Sequence, residues 1–213
     1  MDHAYWGQEY TPDEIRSAID NCGIKAECVE DPSKLVEVTV DRLTSGRVVG
    51  WYQGRFEWGP RALGNRSILA DPRDAAMKDV VNNKIKFREP FRPFAPAVLA
   101  ESSEQYFNLP QVNRHLPARF MLLVVPVRED KQETIPAVSH LGTARIQTVY
   151  PDASPLFHRV IQGFGEATGV PVLLNTSFNV RGGPIVNTPE EALNTFLASG
   201  IDTLVMGNYL LHK

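Results

Sequence analysis

The sequence has little cysteine and no long apolar run, and these absences exclude several classes of protein. Cys22 and Cys28 are the only cysteines in 213 residues. Neither a disulfide framework nor a zinc site is indicated, because both need more ligands at the right spacing. No apolar run approaches the roughly 18 residues of a membrane span, and the N-terminus lacks the positive region and apolar core of a secretory signal. We therefore expect a cytoplasmic protein that does not enter a membrane.

Excess positive charge and the common catalytic motifs are also missing. The net charge is −3, which argues against nucleic acid as a partner of the chain as a whole. There is no Walker-type Gly-Lys-Ser/Thr loop, no Gly-x-Ser-x-Gly elbow and no His-Glu-x-x-His helix. The five histidines do not form ligand-spaced pairs, so we expect no metal held by the protein's own side chains. Any basic site must be local.

Short strands alternate with helices that have clear start signals. Thr11-Pro12-Asp13-Glu14 and Thr188-Pro189-Glu190-Glu191 each place a threonine cap before proline and a glutamate three residues after the cap. Apolar strand-like runs lie between such helices throughout the chain, which predicts a layered α/β domain. The helix start and stop signals predict a helical lead-in, residues 1–46, packed on a main domain, residues 47–213.

The segment Gly54–Ser67 has the most unusual composition, with three glycines, three arginines and a proline between two strand-like runs. Glycine lets the backbone approach a ligand closely, and arginine supplies planar, permanently charged donors for phosphate or carboxylate oxygens. The alternative is a turn-rich connector whose arginines pair with acidic residues, namely Glu57, Asp71 and Glu89. For any single arginine, the connector and the ligand site are about equally probable. For the whole segment, the density of glycine, proline and arginine favours a ligand site.

Three further segments carry polar groups suited to an anion. Lys86 and Arg92 belong to a basic, proline-bracketed stretch, for which a solvated helix end is the alternative. Arg145 and Gln147 share one face of a strand predicted over residues 144–149. A buried strand then ends in the polar loop Asn175–Asn179, where α/β sheets usually bind ligands, although Asx-rich turns are common. We infer a site for a phosphorylated small molecule built from Arg61, Lys86, Arg92, Arg145 and this loop.

These segments together resemble the C-terminal domain of the O-carbamoyltransferases of nodulation-factor and antibiotic biosynthesis. Their order and spacing match over residues 47–213. The strings that carry the resemblance are Gln53-Gly54-Arg55 with Glu57, Gly59-Pro60-Arg61-Ala62-Leu63-Gly64-Asn65-Arg66-Ser67-Ile68-Leu69, Lys86 with Arg88-Glu89-x-Phe91-Arg92-Pro93-Phe94-Ala95-Pro96, Ala144-Arg145 with Gln147-Thr148-Val149, and Asn175-Thr176-Ser177-Phe178-Asn179.

The resemblance implies a YrdC-like layered domain, with a mixed twisted sheet and flanking helices, that activates a carbamoyl group. Such a domain forms carbamoyl-adenylate from carbamoyl phosphate and ATP, with Mg²⁺ accompanying ATP, and a separate N-terminal-type domain transfers the carbamoyl group to a hydroxyl. By motif match, carbamoyl phosphate would be bound by Arg61, Lys86, Arg92, Arg145 and Asn175, of which the four cationic residues are catalytic. The nucleotide would be contacted by Arg55, Ser177 and Asn179.

The sequence departs from the family pattern in two places. His140-Leu141-Gly142 is one residue shorter than the usual His-x-Asp-Gly and lacks its acidic residue, and Arg181-Gly182-Gly183-Pro184 lacks the glutamate that commonly precedes the proline. The transferase half is also missing from the chain. Two alternatives therefore remain open: a non-catalytic module that binds the same ligands or docks onto a carbamoyltransferase, and an RNA-binding YrdC-like domain.

Overall fold

The computed structural model describes residues 2–87, 89 and 91–213, and in these residues it contains six α-helices and nine strands. The helices are α1 Pro12–Cys22, α2 Pro32–Thr44, α3 Met77–Val81, α4 Ser103–Tyr106, α5 Pro155–Thr168 and α6 Pro189–Ala198. The strands are β1 Ala26–Cys28, β2 Val49–Tyr52, β3 Arg66–Ala70, β4 Ala95–Leu99, β5 Leu123–Pro126, β6 Thr143–Val149, β7 Val172–Ser177, β8 Thr203–Met206 and β9 Tyr209–His212.

The longer helices begin and end at the residues that the sequence signals indicate. Thr11 and Thr188 each accept a hydrogen bond from the backbone N–H three residues on, and Glu14 and Glu191 bond back to the capping residues. These reciprocal bonds satisfy backbone donors that a helix start would otherwise leave unpaired. Helix α5 ends at Gly169, which takes the left-handed conformation with φ 77°.

The strands form one mixed sheet in the order β1-β9-β8-β2-β3-β7-β4-β6-β5. Two pairs, β2 with β8 and β4 with β6, are parallel, and the others are antiparallel. Strand β1, which belongs to residues 1–46, forms one edge by pairing with β9. The division of the chain at residue 46 stays a prediction.

Helices cover both faces of the sheet because alternate side chains of its central strands point to opposite sides. Ile68 packs in a core with α1 and α6, whereas its neighbour Leu69 packs in a second core with α2 and α5. Buried phenylalanines anchor the helices, Phe196 from α6 on the first face and Phe164 from α5 on the second. The predicted α/β fold with flanking helices is thereby confirmed.

One predicted helix differs in its second half. The sequence pattern predicts a helix over residues 74–85, and the structure has α3 followed by a π-helical turn, Asn82–Lys86. The wider turn ends at Phe87, whose φ is 44°, and it leaves the Lys86 side chain buried. No helix in the described residues is both long and apolar enough to span a membrane.

Candidate anion-binding site

A buried carboxylate holds the loop between β2 and β3 in shape. Glu57 Oε1 accepts hydrogen bonds from the backbone N–H groups of Leu63 at 2.7 Å and Asn65 at 2.6 Å. Its Oε2 accepts from the N–H of Arg66 at 3.1 Å. Burial raises the pKa of Glu57 to about 7, while these three donors and the Arg66 charge oppose the rise. Glu57 therefore fixes the backbone conformation of the loop that contains Arg61.

The arginines of this region do not pair as the connector interpretation predicts. Glu57 accepts from backbone donors rather than from an arginine side chain, and Asp71 pairs with Arg73 at 2.6 Å. Arg66 is fully buried, donates to the carbonyls of Gln53, Gly54 and Asn65, and lies 3.7 Å above the Tyr52 ring. Arg66 is thus a structural residue. Arg61 pairs with neither Glu57 nor Asp71 and is available to bind a ligand.

Arg61 and Arg145 line one cavity of about 100 Å³ at the edge of the sheet where β7 ends and β4 and β6 begin. Within the described residues, neither guanidinium has a hydrogen bond or an ion pair, and the Nε of each is buried without a partner. Burial, followed by the charge of Arg61, lowers the pKa of Arg145. The described residues of the cavity wall include no acidic side chain; they are Pro60, Arg61, Ala62, Pro93, Phe94, Ala95, Met121, Arg145, Asn175, Thr176 and Ser177.

Two cations that share a cavity without a counter-ion are costly, because each is partly removed from water and the two repel each other. An anion with several oxygens removes both costs, and planar guanidinium groups suit phosphate or carboxylate geometry. The arrangement is therefore that of an anion-binding site at the carboxyl end of a strand, where α/β sheets commonly bind ligands.

Asn175 connects the strands under this cavity to the Arg61 loop. Its Nδ2 donates to Gln147 Oε1 at 2.7 Å and to the carbonyl of Ala62 at 3.3 Å. Gln147 Nε2 in turn donates to the carbonyl of Leu63 at 2.6 Å. The Oδ1 of Asn175 is buried and lacks a donor among the residues the structure describes. The network fixes the position of Arg61 and leaves one amide acceptor unsatisfied in the cavity wall.

Lys86, Ser177 and Asn179 form a hydrogen-bonded cluster beside the cavity. Lys86 Nζ donates to the Ser177 carbonyl at 2.5 Å, to Asn179 Oδ1 at 2.7 Å and to the Asn179 carbonyl at 3.1 Å. Ser177 Oγ donates to Asn179 Oδ1 at 2.7 Å, and Asn179 Nδ2 donates to the carbonyl of Gly183 at 2.7 Å. Ser177 also lines the cavity, so it joins the two groups of residues.

The structure does not bring every predicted site residue to the cavity. Arg92 pairs with Glu89 at 2.9 Å and its side chain is 56% exposed, although its neighbour Pro93 is part of the wall. Arg55 lies 3.5 Å from Glu9 and is also exposed. Arg88, part of the motif that includes Lys86, lies outside the described residues. The roles assigned to Arg55 and Arg92 stay predictions.

The shortened histidine segment forms a tight turn at the start of β6. His140 and Thr143 exchange backbone hydrogen bonds at 2.8 and 3.0 Å. Leu141 and Gly142 between them have φ values of 50° and 73°, the pattern of a two-residue hairpin turn. Strand β6 begins at Thr143, directly after this turn, and Arg145, two residues further on, pairs with Val124 of β5.

Met121 is a wall residue that the sequence reasoning missed. It takes a left-handed conformation with φ 55° at the end of the 3₁₀ turn Leu116–Phe120. A non-glycine residue with positive φ is uncommon and often lies near a functional site, but this feature has no signal in a single sequence. Within the described part of the chain, no group of three or more His, Cys, Asp or Glu residues could hold a metal ion.

Comparisons with known proteins identify the family of the chain. Residues 40–213 match the family described as "Carbamoyltransferase C-terminus". The chain is 45% identical to nodulation protein NolNO of Sinorhizobium fredii, over 100% of this chain and 31% of that protein. It is 40% identical to 3'-hydroxymethylcephem-O-carbamoyltransferase of Amycolatopsis lactamdurans, over 78% of this chain and 31% of that protein. The chain thus spans about a third of the length of these relatives.

Two solved structures are similar in fold at 16% sequence identity. P. abyssi Sua5 complexed with L-threonine has a TM-score of 0.60, covering 84% of this chain and 48% of that one. Full-length HypF in the phosphate- and nucleotide-bound form has a TM-score of 0.54, covering 83% of this chain and 25% of that one. These likenesses confirm the expected YrdC-like fold and carry nothing beyond the fold.

Proposed function

The chain belongs to the family of carbamoyltransferase C-termini, and from this premise we propose that it forms carbamoyl-adenylate from carbamoyl phosphate and ATP. The observation that carries the proposal is the pair of guanidinium groups, Arg61 and Arg145, in one cavity without a counter-ion among the described residues. A phosphate dianion bound between them would offset both charges at once.

The unsatisfied oxygen of Asn175 favours a carbamoyl ester over a plain phosphate. A carbamoyl group carries an NH₂ donor next to its carbonyl, and Asn175 Oδ1 is an acceptor to which no described residue donates. A buried acceptor left unpaired costs about 1–3 kcal/mol, which a ligand N–H would recover. Arginines on the phosphoryl end and an amide acceptor on the carbamoyl end match the two ends of carbamoyl phosphate.

The proposed reaction consumes one water in addition to carbamoyl phosphate and ATP, and it proceeds in two steps. Water first breaks the bond between phosphorus and the bridging oxygen of carbamoyl phosphate, which yields carbamate and inorganic phosphate. A carbamate oxygen then attacks the α-phosphorus of ATP, the bond to the β-phosphate breaks, and pyrophosphate leaves with carbamoyl-adenylate as the other product. Negative charge passes between oxygens in both steps, so fixed cations and exact placement of the reactants supply the catalysis, with no covalent nucleophile from the protein.

The cluster of Lys86, Ser177 and Asn179 is the proposed junction of the two substrates, with Ser177 and Asn179 on the nucleotide phosphates and Lys86 on carbamoyl phosphate. Its polar atoms are engaged with one another, so phosphate oxygens would replace some of these bonds, and the Lys86 ammonium would remain beside them. The proposed contact from Arg55 would come from outside the cavity. Mg²⁺ would enter with ATP, because this ion usually keeps several waters and binds through substrate phosphates with few protein ligands.

Transfer of the carbamoyl group to a hydroxyl is proposed to need a further domain. The relatives are about three times as long as the matched region, which supports a separate transferase domain as the partner. The chain described here would supply the activated carbamoyl group.

The test is pyrophosphate release from ATP and Mg²⁺, measured with and without carbamoyl phosphate. We expect release that depends on carbamoyl phosphate, a loss of at least tenfold in Arg61→Gln, and no change in Arg128→Gln. Arg128 is a suitable control because it is an exposed arginine paired with Asp130. Saturable binding of carbamoyl phosphate without pyrophosphate release would favour the non-catalytic module. Absence of both, with salt-sensitive RNA binding instead, would favour the RNA-binding alternative.

A further inference from the structure

A second basic cavity, of about 380 Å³, lies at the opposite end of the sheet from the candidate site. Strands β2 and β8 are parallel to each other and run in the same direction as β7, since β3 is antiparallel to both β2 and β7. Arg47 and Asp202 come just before β2 and β8, whereas the candidate site is at the end of β7. The two cavities therefore share no wall residue.

Cationic side chains outnumber acidic ones in this second cavity. Among the described residues, Arg42, Arg47, Lys84 and Lys213 line it together with one acidic side chain, Asp202. Asp202 Oδ1 lies 3.5 Å from Arg47 Nη1 and 3.8 Å from Lys84 Nζ, which is too long for a hydrogen bond. Asp202 Oδ2 accepts from the backbone N–H of Val48 at 2.8 Å. One carboxylate thus partly offsets two cations and forms a hydrogen bond with neither.

Arg42 is the least satisfied of these cations. Its Nε is buried and has no partner in the described chain, and its Nη2 lies 3.4 Å from His212 Nε2. His212 Nδ1 is 3.2 Å from Thr203 Oγ1. Because arginine has only donors, His212 Nε2 accepts from Arg42, and burial, followed by the charge of Arg42, lowers the pKa of His212. An imidazole that accepts this bond carries no negative charge, so Arg42 has no counter-ion among the residues that the structure describes.

Lys213 contributes positive charge to the second cavity, but two of its N–H donors are already used within the protein. Its Nζ donates to the carbonyls of Leu197 and Ser199 at the end of α6. The donors that face the cavity therefore come from three separate parts of the chain: α2, the segment before β2, and the π-helical turn. Guanidinium forks converging from different elements form a concave anion site rather than the basic stripe typical of nucleic-acid binding.

We propose that this cavity is a second anion site, which binds a phosphate or short polyphosphate group through Arg42, Arg47 and Lys84. A polyanion with several oxygens matches two forks and one ammonium, and it would supply the counter-charge that Asp202 gives only in part. The site is independent of the proposed activity, because none of these residues lies near Arg61 or Arg145.

His212 provides a site-specific reporter for the test. In ¹³C-labelled protein, the ring signal of His212, identified by its loss in His212→Asn, is followed during separate additions of inorganic phosphate, pyrophosphate, ATP and chloride at matched ionic strength. We expect saturable shifts with phosphate or pyrophosphate and none with chloride. Saturation by ATP but by neither phosphate nor pyrophosphate would overturn the proposal, because the site would then recognise the nucleoside. Saturation by inorganic phosphate or by pyrophosphate supports it.

Variants connect the shift to the proposed donors. The affinity should fall at least tenfold in Arg42→Gln and in Arg47→Gln, and Arg42→Lys should recover only part of it because the fork is lost. Arg145→Gln, which disables the first cavity, and Arg128→Gln should leave the affinity unchanged. The proposal is overturned if the His212 signal responds only to ionic strength, if folded Arg42→Gln and Arg47→Gln bind as the wild type does, or if only an oligonucleotide shifts the signal.

Discussion

Arg145 on β6 and Arg61 on the loop after β2 line the same cavity, and the charge of Arg61 contributes to lowering the pKa of Arg145. The rest of the fold holds these two cations together: Glu57 fixes the loop backbone, and Gln147 and Asn175 tie that backbone to the sheet. The two like charges repel each other, so we expect their proximity to lower the stability of the ligand-free protein, as is common where a site is arranged for its ligand.

The first prediction is that Arg61→Gln stabilises the protein while it disables the site. Arg61 and Arg145 are like charges with no counter-ion among the described residues. Removing one of them should raise the free energy of unfolding by about 1 kcal/mol, measured by urea denaturation without ligand. Arg128→Gln should change it by less than about 0.5 kcal/mol. A clear loss of stability in Arg61→Gln would mean that Arg61 has a structural partner.

The second prediction concerns the hydrogen bonds beneath the cavity. Gln147→Ala removes the acceptor of Asn175 Nδ2 and a donor to the Leu63 carbonyl, and leaving such buried groups unpaired should cost about 1–3 kcal/mol. Carbamoyl phosphate binding should weaken as well, because the loop that carries Arg61 loses its support. The matched control is Gln162→Ala, in which an exposed glutamine bonded to Glu166 is removed. Equal stability of the two variants would contradict the network's role.

The third prediction separates backbone strain from close packing at Gly64. Its φ is 108°, and an added Cβ would lie 2.3 Å from Phe157 Cδ1. Gly59 has nearly the same φ, 107°, with no atom within 4 Å of an added Cβ. Gly59→Ala should therefore cost about 1–3 kcal/mol for backbone strain alone, and Gly64→Ala should cost clearly more.

The packing part can be measured with a double-mutant cycle. Phe157→Leu in the Gly64→Ala background should recover part of the lost stability, because the shorter side chain relieves the contact but not the strain. If Gly64→Ala costs no more than Gly59→Ala in denaturant unfolding, the close approach of Phe157 does not constrain this position.

The fourth prediction is a titration of His212 below the usual histidine pKa of 6.5. Burial and Arg42 lower the pKa, while Glu27 raises it, so Arg42→Gln should move it upward and Glu27→Gln downward in an NMR titration. Because the folded-state value is lowered, the contribution of His212 to stability is present above pH 6.5 and is lost as the pH falls through the folded-state pKa. A pKa at or above 6.5 would contradict this account.

Much of the fold was predictable because local signals and tertiary structure agree. The capping threonines of α1 and α6 fix where those helices begin, and the apolar runs of β2, β3 and β7 mark buried strands. The π-helical turn before Phe87 was not predictable, since its sequence continues the helical pattern of α3. The strand order was not predictable either, because it depends on contacts between residues far apart in the sequence.

The candidate site also has a part that was predictable from the sequence and a part that was not. Arg61, Arg145, Asn175 and Ser177 were predicted as residue types suited to an anion, and the structure places all four around one cavity. That Arg66 is structural, and that Met121 completes the wall, could not be read from the sequence. Both facts depend on which carbonyls and strands meet after folding.

The most direct test of the central claim is calorimetric titration of carbamoyl phosphate, freshly dissolved, into the wild type, Arg61→Gln, Arg145→Gln and the control Arg128→Gln. The account predicts saturable binding to the wild type and the control, tighter than that of inorganic phosphate. It also predicts a loss of at least about tenfold, or 1.4 kcal/mol, in each of the other two. Equal binding by all four proteins would contradict it, because the two arginines would then not form the carbamoyl phosphate site.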